Sequence, residues 1–248
     1  MNRLAPAAVA AAFATMIAMP SVAEEMTDAE RQIFRSEVRS YLMENPEVLM
    51  EAIQVLDDRQ QQQQVTADTD LVARNEAALF ANANDWTGGN LQGDVTVVEF
   101  MDYRCGYCRQ AFAEVEDLVS KDGNIRFVLK ELPILGEQSV MASRFALAVK
   151  MTAGDDAYKS VHDQFFSLRG DVNEQALQRI AKDLNLDWAA IQPRMASEEV
   201  GKVIADNHAL AQAMQIQGTP TFVVGNTMLR GYVPEDAMAQ VVAEERKG

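Results

Sequence analysis

Val95-Thr96-Val97-Val98-Glu99-Phe100-Met101-Asp102-Tyr103-Arg104-Cys105-Gly106-Tyr107-Cys108 is the stretch on which the fold turns. Its first six residues are a β-branched run suited to a buried strand, which stops at Asp102-Tyr103 just before the first cysteine. Ala111, Phe112, Val115, Leu118 and Val119 then recur at helical spacing, Gly123-Asn124 breaks the pattern, and Ile125-Arg126-Phe127-Val128-Leu129 makes a second strand. The result is a βαβ unit with a C-x-x-C pair at its strand-to-helix junction. That placement matters chemically. The thiolate is the nucleophile of disulfide exchange, yet a free cysteine, with a pKa of about 8.5, is mostly protonated at neutral pH. The unpaired N–H groups and dipole of a helix N-terminus favour the anion. Cys105, at the helix start, therefore reads as the attacking thiol, and Cys108, one turn deeper, as the resolving thiol that releases a mixed disulfide. A static staple is a poor use of this spacing, because so tight a loop removes little chain entropy.

Downstream, helical periodicity runs through Ser139–Lys150, Ala157–Phe166, Asn173–Leu184, Trp188–Met195 and Glu198–Met214, punctuated by Gly154 and Gly170. Strands return at Thr221–Val224 and Met228–Tyr232, joined by Gly225-Asn226, a pair suited to a hairpin turn, and a last helix begins at Pro234. The order β-α-β, helical insertion over about residues 139–215, then β-β-α predicts an α/β chain with a thioredoxin fold interrupted by a helical domain. At Gly218-Thr219-Pro220-Thr221-Phe222 a proline stands at the start of a strand, where it marks a special backbone position.

Upstream, a helix is expected from Met26 to Glu44, capped by Thr27 or Asp28, with Phe34, Val38, Tyr41 and Leu42 at helical spacing. Asn45-Pro46 predicts a second start, Asn as cap and Pro at the first helical position, with Leu49, Ala52, Ile53 and Leu56 on one face. Gln60–Gln64 reads either as a solvated helical stalk or as a flexible linker, and apolar positions resume at Leu71, Ala78, Leu79 and Phe80. These amphipathic helices bury their apolar faces either by self-association or by folding back on the main domain. The first 23 residues, with Arg3, an apolar run over Leu4–Met19, and Ser21 and Ala23 at a cleavage-type site, read as a signal peptide. The expected division is therefore 1–23 signal, 24–85 N-terminal helical oligomerisation stalk, and 86–248 thioredoxin domain with its insertion.

With 37 acidic against 22 basic residues, a net charge of −15 and no basic cluster, the chain is unsuited to neutralising phosphates, so nucleic acid is not an expected partner. An exported protein that scatters no further cysteines into structural disulfides keeps its two for C-x-x-C. His162 and His208, the two histidines, form no motif with them, and Trp86, Trp188 and most of the 13 methionines fit packing roles.

Val97–Arg104 before the cysteines, the inserted helices and the Thr219-Pro220 loop together resemble the DsbA family over roughly residues 86–248. Tyr41–Leu49 is similar to the N-terminal segment of its ScsC-type members, the suppressor of copper sensitivity proteins, some of which are trimeric isomerases. The resemblance implies a cis-proline loop at Thr219-Pro220 opposite the cysteines, holding an extended client segment. It also implies that Glu99 is the family's buried acidic residue, relaying protons to Cys108; from the sequence alone an exposed carboxylate at a strand end stays open. Between the cysteines DsbA has Pro-His, whereas Gly106-Tyr107 resembles the isomerase DsbC, and Thr219 points the same way. Lacking that histidine, the site is expected to be less strongly oxidising than DsbA. The implied protein is a periplasmic thiol–disulfide oxidoreductase, an isomerase by preference and a dithiol oxidase as the alternative. It would act on unfolded or misfolded exported proteins with a membrane thiol reductase or oxidase as partner, as a homo-oligomer, a trimer by resemblance, and without a cofactor. Copper sequestration, with Cu(I) on Cys105 and Cys108, is the rival reading; no clustered His or Met ligands stand beside the cysteines to support it.

Overall fold

The computed structural model describes residues 26–247, so the expected signal peptide lies outside the described residues. The chain forms two compact units divided after Asp57. In the first, α1 (Asp28–Glu44) opens with a reciprocal cap in which Thr27 accepts from the Glu30 N–H while the Glu30 carboxylate accepts from the Thr27 N–H. Asn45, expected to cap the next helix, instead closes this one: its backbone N–H and its side-chain amide both donate to the Tyr41 carbonyl, an acceptor that the helix end would otherwise leave unpaired. The second helix, α2 (Glu47–Arg74), contains Gln60–Gln64, so that run is helical. Phe34, Val38 and Tyr41 on α1 and Leu49, Ile53 and Leu56 on α2 are exposed.

The second unit is built on a five-stranded sheet in the order β1-β3-β2-β4-β5. The strands are β1 (Trp86–Gly89), β2 (Val95–Met101), β3 (Ile125–Glu131), β4 (Thr221–Val224) and β5 (Thr227–Arg230). Only β2 and β3 run parallel, joined by α4 (Gly106–Asp122); the other pairs are antiparallel. The insertion between β3 and β4 comprises α5 (Glu137–Ala153), α6 (Asp155–Ser167), α7 (Glu174–Asp183), α8 (Trp188–Met195) and α9 (Glu198–Ala213), and α10 (Glu235–Glu245) closes the chain. This is the thioredoxin fold with a helical insertion that the sequence predicts. Strand β1 was not expected, because two of its four residues are glycine. Pairing with β3 makes it: Trp86 lies opposite Leu129, its ring packs edge-on against Phe127, and its indole N–H donates to the Asp155 carbonyl at 3.1 Å.

Alternation along β2 sorts the core into two layers. Val97 and Met101 join the larger cluster with α4 and the insertion, whereas Val98 and Phe100 face Leu71, Val72, Leu79, Leu210 and Met214. Leu71, Val72 and Leu79 thus bury their side chains on the sheet, with Leu79 on the short helix α3 (Glu76–Phe80). Beneath them Lys130 is fully buried, ion-paired with Asp85 and donating to the Ala78 carbonyl at 2.8 Å. At the β4–β5 turn Gly225 has a φ of 54°, in the left-handed region that favours glycine.

Candidate active site

Strand β2 ends in a turn that aims Cys105 at the start of α4. Asp102 fixes that turn. Its buried carboxylate accepts from the Arg104 N–H at 2.7 Å and from the Ile134 and Leu135 N–H groups at 2.8 and 3.1 Å, tying the approach to the cysteines to the loop after β3. The Asp102 carbonyl also accepts from the Cys105 N–H at 3.0 Å. Asp102, two residues before the N–H it accepts from, is an Asx-turn signal that the C-x-x-C motif by itself does not single out.

Cys105 is the N-cap residue of α4, and the Cys108 N–H points at its sulfur from 3.4 Å. A thiolate here occupies the place of a capping oxygen. Cys105 is held down to about 5, first by its hydrogen bonding with Cys108, opposed by partial burial, and helped by the Thr219 side chain and the Tyr107 and Cys108 backbone. The Thr219 carbonyl, 3.1 Å from the sulfur, accepts from the thiol and so favours the protonated form; the donors prevail. Cys108 is fully buried, and that burial pushes its thiol far up, with hydrogen bonding to Cys105 and the charge of Glu99 acting the same way. Both cysteines are free thiols. Tyr107 is 63% exposed, and nothing lies within 4 Å of where a Gly106 side chain would begin, so the dipeptide forms an open rim beside the sulfur.

Thr219–Pro220 is a cis peptide bond, and the contact between Cys105 and the Thr219 carbonyl brings this loop against the nucleophile across 114 residues of sequence. The Pro220 carbonyl accepts from the Gly231 N–H at 2.9 Å, anchoring the loop to the segment after β5. Glu99 lies on the β2 face that carries α4 and is buried, which removes the exposed alternative. Burial raises its carboxyl to about 8, aided by the charges of Glu116 and Cys105. The structure therefore brings together Cys105, Cys108, Glu99, Thr219 and Pro220, with Gly106 and Tyr107 at the surface.

A second buried carboxyl stands behind them. Glu131 accepts from the Tyr103 and Tyr158 hydroxyls at 2.8 and 2.7 Å and from the Ser143 hydroxyl at 2.7 Å. Burial raises it to about 7 against the pull of these donors. His162 is in the core, as a packing role requires, with Nδ1 3.3 Å from the Tyr103 hydroxyl.

Residues 96–243 match the family described as DSBA-like thioredoxin domain, and residues 30–63 match the copper resistance protein ScsC N-terminal domain. A thioredoxin-like oxidoreductase from Silicibacter pomeroyi DSS-3 is similar at 42% identity and a TM-score of 0.66, over 70% of this chain and 99% of that one. A linker-deletion mutant of Proteus mirabilis ScsC is similar at 25% identity and a TM-score of 0.67, over 91% of this chain and 99% of that one. Among curated relatives, the Na(+)/H(+) antiporter NhaA 1 of Salinispora arenicola is 29% identical over 66% of this chain, which spans only 25% of that relative's length. Among the described residues no helix is long and apolar enough to cross a membrane.

Proposed function

This chain belongs to the DSBA-like thioredoxin-domain family and is a thiol–disulfide oxidoreductase of the DsbA and ScsC type, and from that premise we propose that it rearranges disulfides in exported proteins within the periplasm. The observation that carries the reading is the asymmetry of the two thiols: Cys105 capped, acidic and beside Thr219–Pro220, Cys108 fully buried. In the proposed mechanism the Cys105 thiolate attacks one sulfur of a client disulfide, forming a mixed disulfide and releasing the other client sulfur as a thiolate. The backbone at Thr219 and Pro220 holds the client segment extended beside the sulfur. The freed thiolate can then attack a different client disulfide, and a final client thiolate displaces Cys105, so no net electrons are consumed.

Escape uses the second thiol. Cys108 gives its proton to Glu99 in its ionised form, a minority near neutral pH because the carboxyl is raised to about 8, and attacks the Cys105 sulfur, releasing the client reduced and leaving a Cys105–Cys108 disulfide. Since burial keeps Cys108 protonated, this escape is slow and leaves time for rearrangement. Continued isomerisation needs Cys105 kept reduced, hence a membrane thiol reductase as partner. Gly106-Tyr107, without a histidine, supports this direction over oxidation. The exposed apolar faces of α1 and α2 support self-association, the trimer being what the ScsC resemblance suggests, and residues 1–23 support export.

Refolding of scrambled ribonuclease tests the proposal. The reduced protein should restore ribonuclease activity, and Cys105→Ser should abolish the effect. Oxidation of reduced ribonuclease by the disulfide form, with no rescue of the scrambled enzyme, would replace isomerase by oxidase. The copper-resistance description of the family matched at residues 30–63 favours one second reading, Cu(I) held by Cys105 and Cys108. Stoichiometric Cu(I) uptake with neither ribonuclease activity would establish it instead.

A further inference from the structure

Tyr103 has one hydroxyl proton, and its donation to Glu131 at 2.8 Å leaves the oxygen only able to accept from His162 Nδ1 at 3.3 Å. Nδ1 therefore carries the ring proton, and the lone pair sits on Nε2. His162 is 1% exposed, and the bond to Tyr103 is the one hydrogen bond its ring makes among the described residues.

Two carboxylates converge on the same place. Glu116 from α4, His162 and Asp163 from α6 each offer a ligand atom, and these atoms lie within 4.8 Å of one another. All three are acceptors and need a cation among them. At present Lys159 serves, with Nζ 3.1 Å from Glu116 and 2.7 Å from Asp163. The side chains of Lys159, Glu116 and Asp163 are 24%, 36% and 44% exposed, so solvent reaches the spot and the lysine can swing away.

We propose that Glu116, His162 and Asp163 form a site for a divalent transition-metal ion of the zinc class, which displaces the Lys159 ammonium and bridges α4 to α6. One imidazole and two carboxylates, with a fourth position open to water, are a donor set that such an ion accepts. The chain from Nδ1–H through Tyr103 to Glu131 is the outer support that fixes the ring of a ligating histidine. With no sulfur in it, the set favours a borderline divalent ion over soft Cu(I). None of the three ligands touches a reacting sulfur, although a cation on Glu116 would offset part of the charge that raises Glu99.

The test uses the protein oxidised to its Cys105–Cys108 disulfide, so that thiols do not compete, and titrates Zn²⁺ by calorimetry in excess Mg²⁺. One Zn²⁺ per chain is expected. Glu116→Gln and Asp163→Asn, both at partly exposed positions, should each weaken uptake about tenfold or more. Lys159→Met should tighten it, because the competing ammonium is gone. Co²⁺ in place of Zn²⁺ should give visible absorption without a thiolate charge-transfer band. Uptake that does not saturate, that both carboxylate variants leave unchanged, or that Lys159→Met fails to strengthen overturns the site.

Discussion

Two residues separate Cys105 from Cys108, and their surroundings send the two thiols in opposite directions. The first sulfur replaces a capping oxygen and gains as an anion from N–H groups that exist before any client arrives. The second, one turn in, is sealed from water. Because the folded pKa of Cys105, about 5, lies below its ordinary 9.0, the reduced fold gains stability as pH rises, fully present above about 9 and lost as pH falls through about 5. Glu99 and Glu131 act with the opposite sign: their raised pKa values of about 8 and 7 give stability present below 4.5 and lost as pH climbs through those values. The carboxyls are present in both redox forms, so the difference between forms chiefly reports the thiol. Thermal unfolding of reduced and oxidised protein from pH 4 to 9 should show the reduced form gaining on the oxidised form as pH rises, the gain flattening below about 5. A gap that is independent of pH would mean that Cys105 is an ordinary thiol.

At the scale of elements, what the sequence disclosed and what it hid follow from the range of the forces involved. Helix α8 and strand β4 have the bounds that periodicity predicts, since each is a local pattern closed by a local signal: Asp187 caps α8, and Gly225 turns the chain after β4. The C-x-x-C junction was legible for the same reason. Strand β1 was not, because its existence depends on Trp86 finding Phe127 and the Asp155 carbonyl, which no local period records. Nor could spacing reveal that Lys130, two residues after Val128 on the same face of β3, is buried against Asp85. That ion pair ties the segment after α3 to β3, and burial pulls both partners toward neutrality, Asp85 upward and Lys130 downward. Removing one partner strands the other. Lys130→Met should cost about 3 kcal/mol or more in urea denaturation, and adding Asp85→Asn should recover part of that loss. Equal stability of the single variant and the wild type would show that the pair contributes nothing.

Across the whole molecule, the contrast between the two units bears on assembly. In residues 26–57 none of the apolar side chains at Phe34, Val38, Tyr41, Leu49, Ile53 and Leu56 is buried, and their spacing of four and three residues sets each trio along one helix face. From Leu71 onward the same kind of residue is consumed by the sheet. A free chain that exposes two such stripes is expected to cover them with copies of itself, which is the economical solution for a surface repeated on every chain. The division also decides how to test the idea. A deletion reaching residue 85 would remove Leu71, Val72 and Leu79 from the core and leave Lys130 unpaired, so a loss of assembly could not be told from a loss of folding. A deletion ending at Asp57 keeps every one of those contacts. Sedimentation of the chain from residue 58 onward should give monomers that retain Cys105-dependent reduction of a small disulfide substrate, while the chain from residue 24 onward sediments as an oligomer. If the two sediment with the same number of chains per particle, the exposed stripes have another purpose than self-association.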